Sequence, residues 1–294
     1  MTRLRLFTLV AVAMLAFAGN SLLCRLALKH TTIDAATFTT FRLVSGACML
    51  WLVVQWQRPN RAIDRVAEPR QAFRAGNWLS ALALFVYAAS FSFAYISMSA
   101  ASGALLLFGA VQMTMIGYGL CCGERLRGWQ LPGFALAQAG LVALMLPGLA
   151  TPSLSASLSM LLAGAAWGVY SLRGRVTQMP NADNPTAVTA GNFLRTVPMT
   201  LALSLLTVDQ LSLDANGVLL AIASGALASG VGYAVWYQAL PALASTQAAT
   251  VQLLVPVIAA LGGVIFIQEP LTLPMVLSSA GILGGIALVV LKRK

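Results

Sequence analysis

Ten apolar runs, most of them about twenty residues long, follow one another with short polar breaks, and this pattern leaves the chain little choice of fold. They cover 5–28, 35–57, 76–97, 101–121, 129–147, 155–174, 185–207, 216–238, 243–267 and 273–291. A hydrocarbon layer about 30 Å thick is crossed by about 20 helical residues. No water inside it satisfies backbone N–H and C=O groups, so crossing elements must be helices or closed barrels. Runs this long, without strict alternation, read as helices. Only 9% of the residues are charged and 59% are hydrophobic, whereas a soluble domain carries about 25% charged residues. The fold expected is therefore an all-α integral membrane protein with ten transmembrane helices.

The breaks hold turn formers: Arg58-Pro59-Asn60, Gly123 and Gly128, Pro147-Gly148, Thr151-Pro152, Pro180-Asn181, Pro241 and Pro270. Only the gap 58–75 is long, so the helices are expected to pack as antiparallel neighbours. Arg3 and Arg5 ahead of an apolar run, with Ala16-Phe17-Ala18 after it, resemble a secretory leader. That run continues to Leu28, however, which makes it a span.

The basic residues sort by side. With the N-terminus inside, the inner face holds Arg3, Arg5, Arg58, Arg61, Arg65, Arg70, Arg74, Arg125, Arg127, Arg173, Arg175, Lys292, Arg293 and Lys294, which is 14 of the 18. The outer face holds Arg25 and Lys29. By the positive-inside rule both termini are cytoplasmic in a multi-pass membrane protein. The net charge of +10 then reports topology, and no nucleic-acid partner is expected. Trp51, Trp56, Trp78 and Trp129 fall near inner span ends, as an aromatic belt does. Cys24, Cys48, Cys121 and Cys122 lie in or at the ends of apolar runs, without metal-ligand spacing to the single histidine, His30. They are read as small buried hydrophobes, and no metal or cofactor is expected.

The second half echoes the first. Phe17-Ala18-Gly19-Asn20 aligns with Ala166-Trp167-Gly168-Val169, and Arg42 with Arg195. Glu124-Arg125-Leu126 aligns with Glu269-Pro270-Leu271, and Ala139-Gly140 with Gly284-Gly285. Four echoes in order suggest two repeats, 1–150 and 151–294, fused into one membrane domain. Five spans per copy force the copies to cross in opposite directions, an inverted repeat around a central cavity, as in many transporters.

Ten spans in two fives resemble the drug/metabolite transporter superfamily. So do an arginine early in the second helix of each half (Arg42, Arg195) and a glutamate just after the fourth (Glu124, Glu269). Among its members the chain is most similar to EamA-type exporters, and there to bacterial aromatic amino acid and paraquat exporters. The resemblance implies alternating access through a central cavity bordered by helices one, three, four, six, eight and nine. The second half keeps a proline, Pro185, ahead of its arginine. The first half has Asp34-Ala35-Ala36 instead.

Candidate substrate contacts come from polar and aromatic residues inside spans. Tyr87, Phe91 and Tyr95 share one face of span three at i, i+4, i+8. Ser229, Tyr233 and Tyr237 do the same in span eight, with Trp236 alongside. These stripes are either facing walls of one space or packing, with Tyr95, Trp236 and Tyr237 as belt residues. Span four places Phe108 and Gln112 four apart, and span nine places Gln252 and Pro256 likewise. A glutamine in hydrocarbon needs another helix or water, and Pro256 frees a carbonyl near Gln252. Asn20 and Asn192 are read the same way. Trp167 is the tryptophan that lies well inside a span, and Tyr170 shares its face. Their counterparts Ala18 and Ser21 are not aromatic.

The structural candidates are Arg42, Arg195, Pro256, Glu124 and Glu269. The two arginines would bond helix-end carbonyls, with binding of a substrate carboxylate as the alternative. The two glutamates would cap helices or pair with a base such as Arg127. Arg173 and Arg175 are read as topology markers. Small residues in span five (Gly133, Ala137, Gly140) and span ten (Ser278 to Gly285) would join the halves or build a homodimer.

No nucleophile–base pair, buried carboxylate or His/Cys cluster supports an enzyme. The lysines are Lys29, Lys292 and Lys294, which removes a Ser/Lys arrangement. An open channel would need a polar face on several helices. No acid sits at mid-membrane, so proton coupling is not inferred. The function expected is a secondary transporter exporting small amphipathic metabolites across the lipid bilayer: aromatic or other hydrophobic amino acids first, and aromatic cations held by cation–π contact second. The rival readings are a channel-like or structural membrane protein, or an exporter of an unrelated metabolite.

Overall fold

The computed structural model describes residues 2–56, 75–123, 128–145, 152–176, 185–239, 242–243 and 251–291. Ten helices run through these residues, without a strand among them: α1 (Arg3–His30), α2 (Ala35–Trp56), α3 (Trp78–Tyr95), α4 (Ala100–Cys121), α5 (Gln130–Met145), α6 (Leu154–Val176), α7 (Pro185–Leu206), α8 (Ala215–Ala239), α9 (Leu254–Ile267) and α10 (Leu273–Leu291). Each falls in one expected span. By length and composition α1, α2, α3, α4, α6 and α8 are able to cross a membrane, and α9 is apolar but shorter.

Side chains capture the free N–H groups at several helix starts. The Thr2 hydroxyl accepts from Arg5 N, Asn77 from Ser80 N, Ser99 from Ser102 N and Asp214 from Gly217 N. The ninth span is interrupted near its proline: residues 251–252 are helical, Leu253 is a turn, and the helix resumes at Leu254 with Pro256 in its first turn.

The helices pack across the two halves. α2 lies on α7, α5 on α10 and α4 on α9; α1 packs on α8 and α9, and α6 on α3 and α4. Exchanging α1–α5 for α6–α10 maps this set onto itself. The small-residue runs join the halves: a Cβ on Gly140 would meet Ile282 at 2.9 Å, and one on Gly285 would meet the Gly133 carbonyl at 2.5 Å. Leucines and isoleucines cover the outside, and Trp51, Trp56, Trp78 and Trp129 are exposed there. Cys48, Cys121 and Cys122 are also exposed, and only Cys24 of the four is buried. Their helices turn those positions outward, where the apolar thiol suits lipid as well as a core.

The middle of α8 widens into a π-helical segment, Ser224–Val231. A Cβ on Gly225 would run into the Arg42 carbonyl and Ser45 Oγ, so glycine is what lets α8 lie directly on α2. Widened turns of this kind recur at functional sites.

Candidate functional site

A small cavity of about 20 Å³, enough for about one water molecule, lies between the halves. α1 contributes Phe17, Asn20 and Ser21; α3 Tyr87 and Phe91; α4 Leu107 and Phe108; α6 Trp167; α8 Ala228, Ser229 and Tyr233. Trp167, only 8% exposed, organises the rings. It stacks on Tyr233 with centroids 5.1 Å apart and on Tyr170 at 5.5 Å. Tyr87 is tilted against it at 4.9 Å, and Phe17 meets it edge-on at 6.4 Å. Such pairs contribute roughly 0.5–1.5 kcal/mol each beyond burial, which holds the walls in register.

One wall carries a polar network. Asn20 Nδ2 donates to Tyr87 Oη at 3.2 Å, and Ser224 Oγ in the widened turn donates to Asn20 Oδ1 at 2.6 Å. Arg42 Nη2 donates to the same Tyr87 oxygen at 2.9 Å. The guanidinium carbon lies 5.1 Å from the Tyr87 ring centroid and 4.8 Å from that of Phe91. The two echoed arginines thus differ. Arg195 Nη1 donates to the carbonyls of Ala75 and Gly191 at 2.6 and 2.9 Å, as expected for a residue bonding carbonyls near a helix end. Among the described residues Arg42 bonds no carbonyl, and it stands behind the cavity wall.

Polar layers close both ends. At the end where α1 finishes, Arg25 Nε pairs with Glu269 Oε1 at 2.7 Å, and Arg25 Nη1 donates to the Tyr95 and Ile96 carbonyls at 3.0 Å. Glu269 Oε2 accepts from Ala100 N at 2.7 Å, placing a carboxylate on the free N–H of the first α4 residue, where the helix dipole favours it. Gln268, in the left-handed region at φ 54°, ends α9 just ahead of that carboxylate. At the other end Arg173 donates to Ser80 Oγ and Asn77 Oδ1, both at 3.0 Å. Asn77 N donates to Asn192 Oδ1 at 2.9 Å, and Asn192 Nδ2 to Tyr170 Oη at 3.4 Å. A second, smaller space of about 10 Å³ sits there, lined by Tyr170, Arg173, Thr189, Asn192 and Tyr237 among others.

Of the residues expected to contact substrate, Asn20, Tyr87, Phe91, Phe108, Trp167 and Tyr233 line the central cavity together. Tyr170 instead lines the second space and reaches the first only through its stacking on Trp167. Gln112 is buried without lining either, and Gln252 lines neither. Among the described residues α9 gives the cavity no side chain, unlike the expectation drawn from resemblance. Tyr95 and Trp236 are buried rather than belt residues, the first bonding the Ala100 carbonyl and the second packing on Phe17. Glu269 does cap and pair, but it caps α4 and its base is Arg25. Glu124 and Arg127 lie outside the described residues. Arg173 is a structural tie, and more than a topology marker. Phe17 and Ser21 were missed, although Phe17 stands one helical turn before Asn20 and so shares its face.

Comparison with known proteins adds three findings. Residues 154–291 match the model of the EamA-like transporter family. The "uncharacterized protein PA1977" of Pseudomonas aeruginosa is 52% identical over 289 residues, covering 98% of this chain and 96% of that protein. A solved structure described only as the crystal structure of a protein superposes over 100% of both chains, with a TM-score of 0.66 at 18% identity. That last likeness shows the fold.

Proposed function

The chain belongs to one family with the Pseudomonas protein and carries an EamA-like transporter domain in a multi-pass membrane protein, and from this premise we propose that it exports small amphipathic solutes, aromatic or other hydrophobic amino acids, by alternating access. The observation that carries the reading is the buried aromatic cavity between two polar closures. As it stands the cavity has room for about one water molecule (about 20 Å³), so in this reading the lining helices part to admit a solute the size of an amino acid. Ring faces from Trp167, Tyr87, Phe91 and Tyr233 suit a flat apolar side chain.

In this reading 1–150 and 151–294 are inverted repeats, and the cavity lies at their interface near mid-membrane. The termini face the cytoplasm of a bacterial inner membrane. The Arg25–Glu269 layer is then the outer closure, and the Arg173–Asn77–Asn192 layer the inner one. Release of one while the other holds would expose the cavity to one side at a time.

The test is uptake of labelled phenylalanine, tryptophan and threonine into proteoliposomes, with wild type and Trp167→Ala. We expect phenylalanine and tryptophan to enter faster than into protein-free vesicles, and the variant to slow them tenfold or more. Uptake of both at the protein-free rate would overturn the proposal.

A further inference from the structure

Among the described residues the charge behind the cavity wall has no counter-ion. Arg42 is 1% exposed, and its Nε and Nη1 have no hydrogen-bond partner. A guanidinium stays protonated in any protein setting, and a buried unpaired charge is unfavourable. The rings of Tyr87 and Phe91 compensate it in part through cation–π contact. Those same rings line the cavity, so the positive charge stands directly behind it.

The hydrogen bonds point the same way. Tyr87 Oη accepts from both Arg42 and Asn20, which occupies its two lone pairs, while its own O–H donates to no described residue. Asn20 Oδ1 is already taken by Ser224. Ser21 Oγ and Ser229 Oγ, both buried and both lining the cavity, have no partner. The lining therefore offers unused hydroxyl donors and holds no carboxylate.

We propose that the cavity is a carboxylate-selecting site. The Tyr87 hydroxyl, with Ser21 and Ser229, receives the carboxylate of an aromatic solute, and Arg42 is the positioning residue whose charge orients Tyr87 and makes the pocket electropositive. Aromatic cations are rejected, because the site sets a fixed positive charge against them and offers no acid. The proposal rests on the reading of this cavity as the solute site. The carboxylate has two possible sources, a zwitterionic amino acid or a simple aromatic acid, and the test separates them.

The experiment is equilibrium binding to the purified full chain in lipid nanodiscs at pH 7. The four ligands share one phenyl group: 3-phenylpropionate, phenylalanine, 3-phenylpropanol and 3-phenylpropylamine. We expect the anion to bind at least tenfold more tightly than the amine, and phenylalanine to bind in preference to the alcohol if the amino acid is the true source. Arg42→Gln and Tyr87→Phe should each lower the anion-to-amine ratio tenfold or more, while Arg42→Lys restores most of it. Should Arg42→Gln fail to fold, Tyr87→Phe, which keeps the ring, and Arg42→Lys decide the matter. An amine that binds as tightly as the anion, or a ratio unmoved by Tyr87→Phe, overturns the proposal. If the alcohol and amine bind, compete with each other and are lost in Trp167→Ala while the anion is refused, the solute site stands and the charge selectivity falls. If none of the four binds, both fall.

Discussion

Replacing Glu269 with glutamine removes one charge from the closure where α1 ends and almost nothing else. In the native chain this carboxylate takes Arg25 Nε on one oxygen and Ala100 N on the other, each at 2.7 Å. At about 4 Å between charge centres the attraction is about 4 kcal/mol for an effective dielectric of 20, and desolvation of the pair offsets part of it. Arg25 keeps its bonds to the Tyr95 and Ile96 carbonyls. The net loss is then about 2–3 kcal/mol, in the range of a charge-assisted hydrogen bond. At 1.4 kcal/mol per factor of ten, the population open at this end should rise about 30- to 140-fold. Cys24, 0% exposed and adjacent to Arg25, is a built-in reporter. In a background with Cys48, Cys121 and Cys122 changed to serine, maleimide labelling of Cys24 in the solubilised protein should accelerate by a similar factor in Glu269→Gln. A labelling rate within twofold of the parent, in a variant that melts normally, would refute the view that this ion pair holds the end shut.

Three further outcomes follow from particular contacts. Gly225→Ala would press a methyl group into the Arg42 carbonyl and Ser45 and should cost about 1–3 kcal/mol, read as a lower melting temperature; Gly284→Ala, with nothing within 4 Å, should leave it unchanged. Asp34, in the turn between α1 and α2, accepts from Thr37 N at 2.9 Å and Ser212 N at 3.0 Å. Burial pushes its carboxyl up, but these hydrogen bonds outweigh burial and leave it below the ordinary carboxylate value. Its contribution is therefore present above about pH 4 and lost as pH falls through the lowered value; Asp34→Ala should lower the melting temperature at pH 7 by an amount worth about 1 kcal/mol, with the gap closing in acid. Arg195→Gln should destabilise by about 1–3 kcal/mol by leaving the Ala75 carbonyl without its charged donor, while the ligand preferences of the cavity stay as they are.

How far the site was legible depended on helical phase. Tyr87 and Phe91 are four apart on α3, and Tyr233 follows Ser229 by four on α8; a regular period puts each pair on one face, and the structure brings both faces to one cavity. Trp167 was found because it lies deep inside its span, and Asn20 because the internal echo makes its helix the twin of that one. Phase is lost where the helix is not regular. The widened turn Ser224–Val231 hides in a run of serine, glycine and alanine that reads equally well as plain packing, yet it supplies the hydroxyl that fixes Asn20. Gln112 and Gln252 were chosen for polarity in spans that the echo aligns, and neither signal says which way a helix is turned. The paired arginines carry the same lesson. The echo aligned Arg42 with Arg195, but only a tertiary contact, the reach of Tyr87 to Arg42, makes the two roles differ.

Solute counterflow tests the carrier reading most directly. Proteoliposomes are loaded with unlabelled phenylalanine and diluted into a trace of labelled phenylalanine. A carrier with one alternately exposed site exchanges the two, so we expect label to accumulate transiently above its equilibrium level, and the overshoot to vanish in Trp167→Ala. Label that rises only to equilibrium would mark a channel-like path, and label that never exceeds the protein-free control would mean that the cavity does not carry this solute.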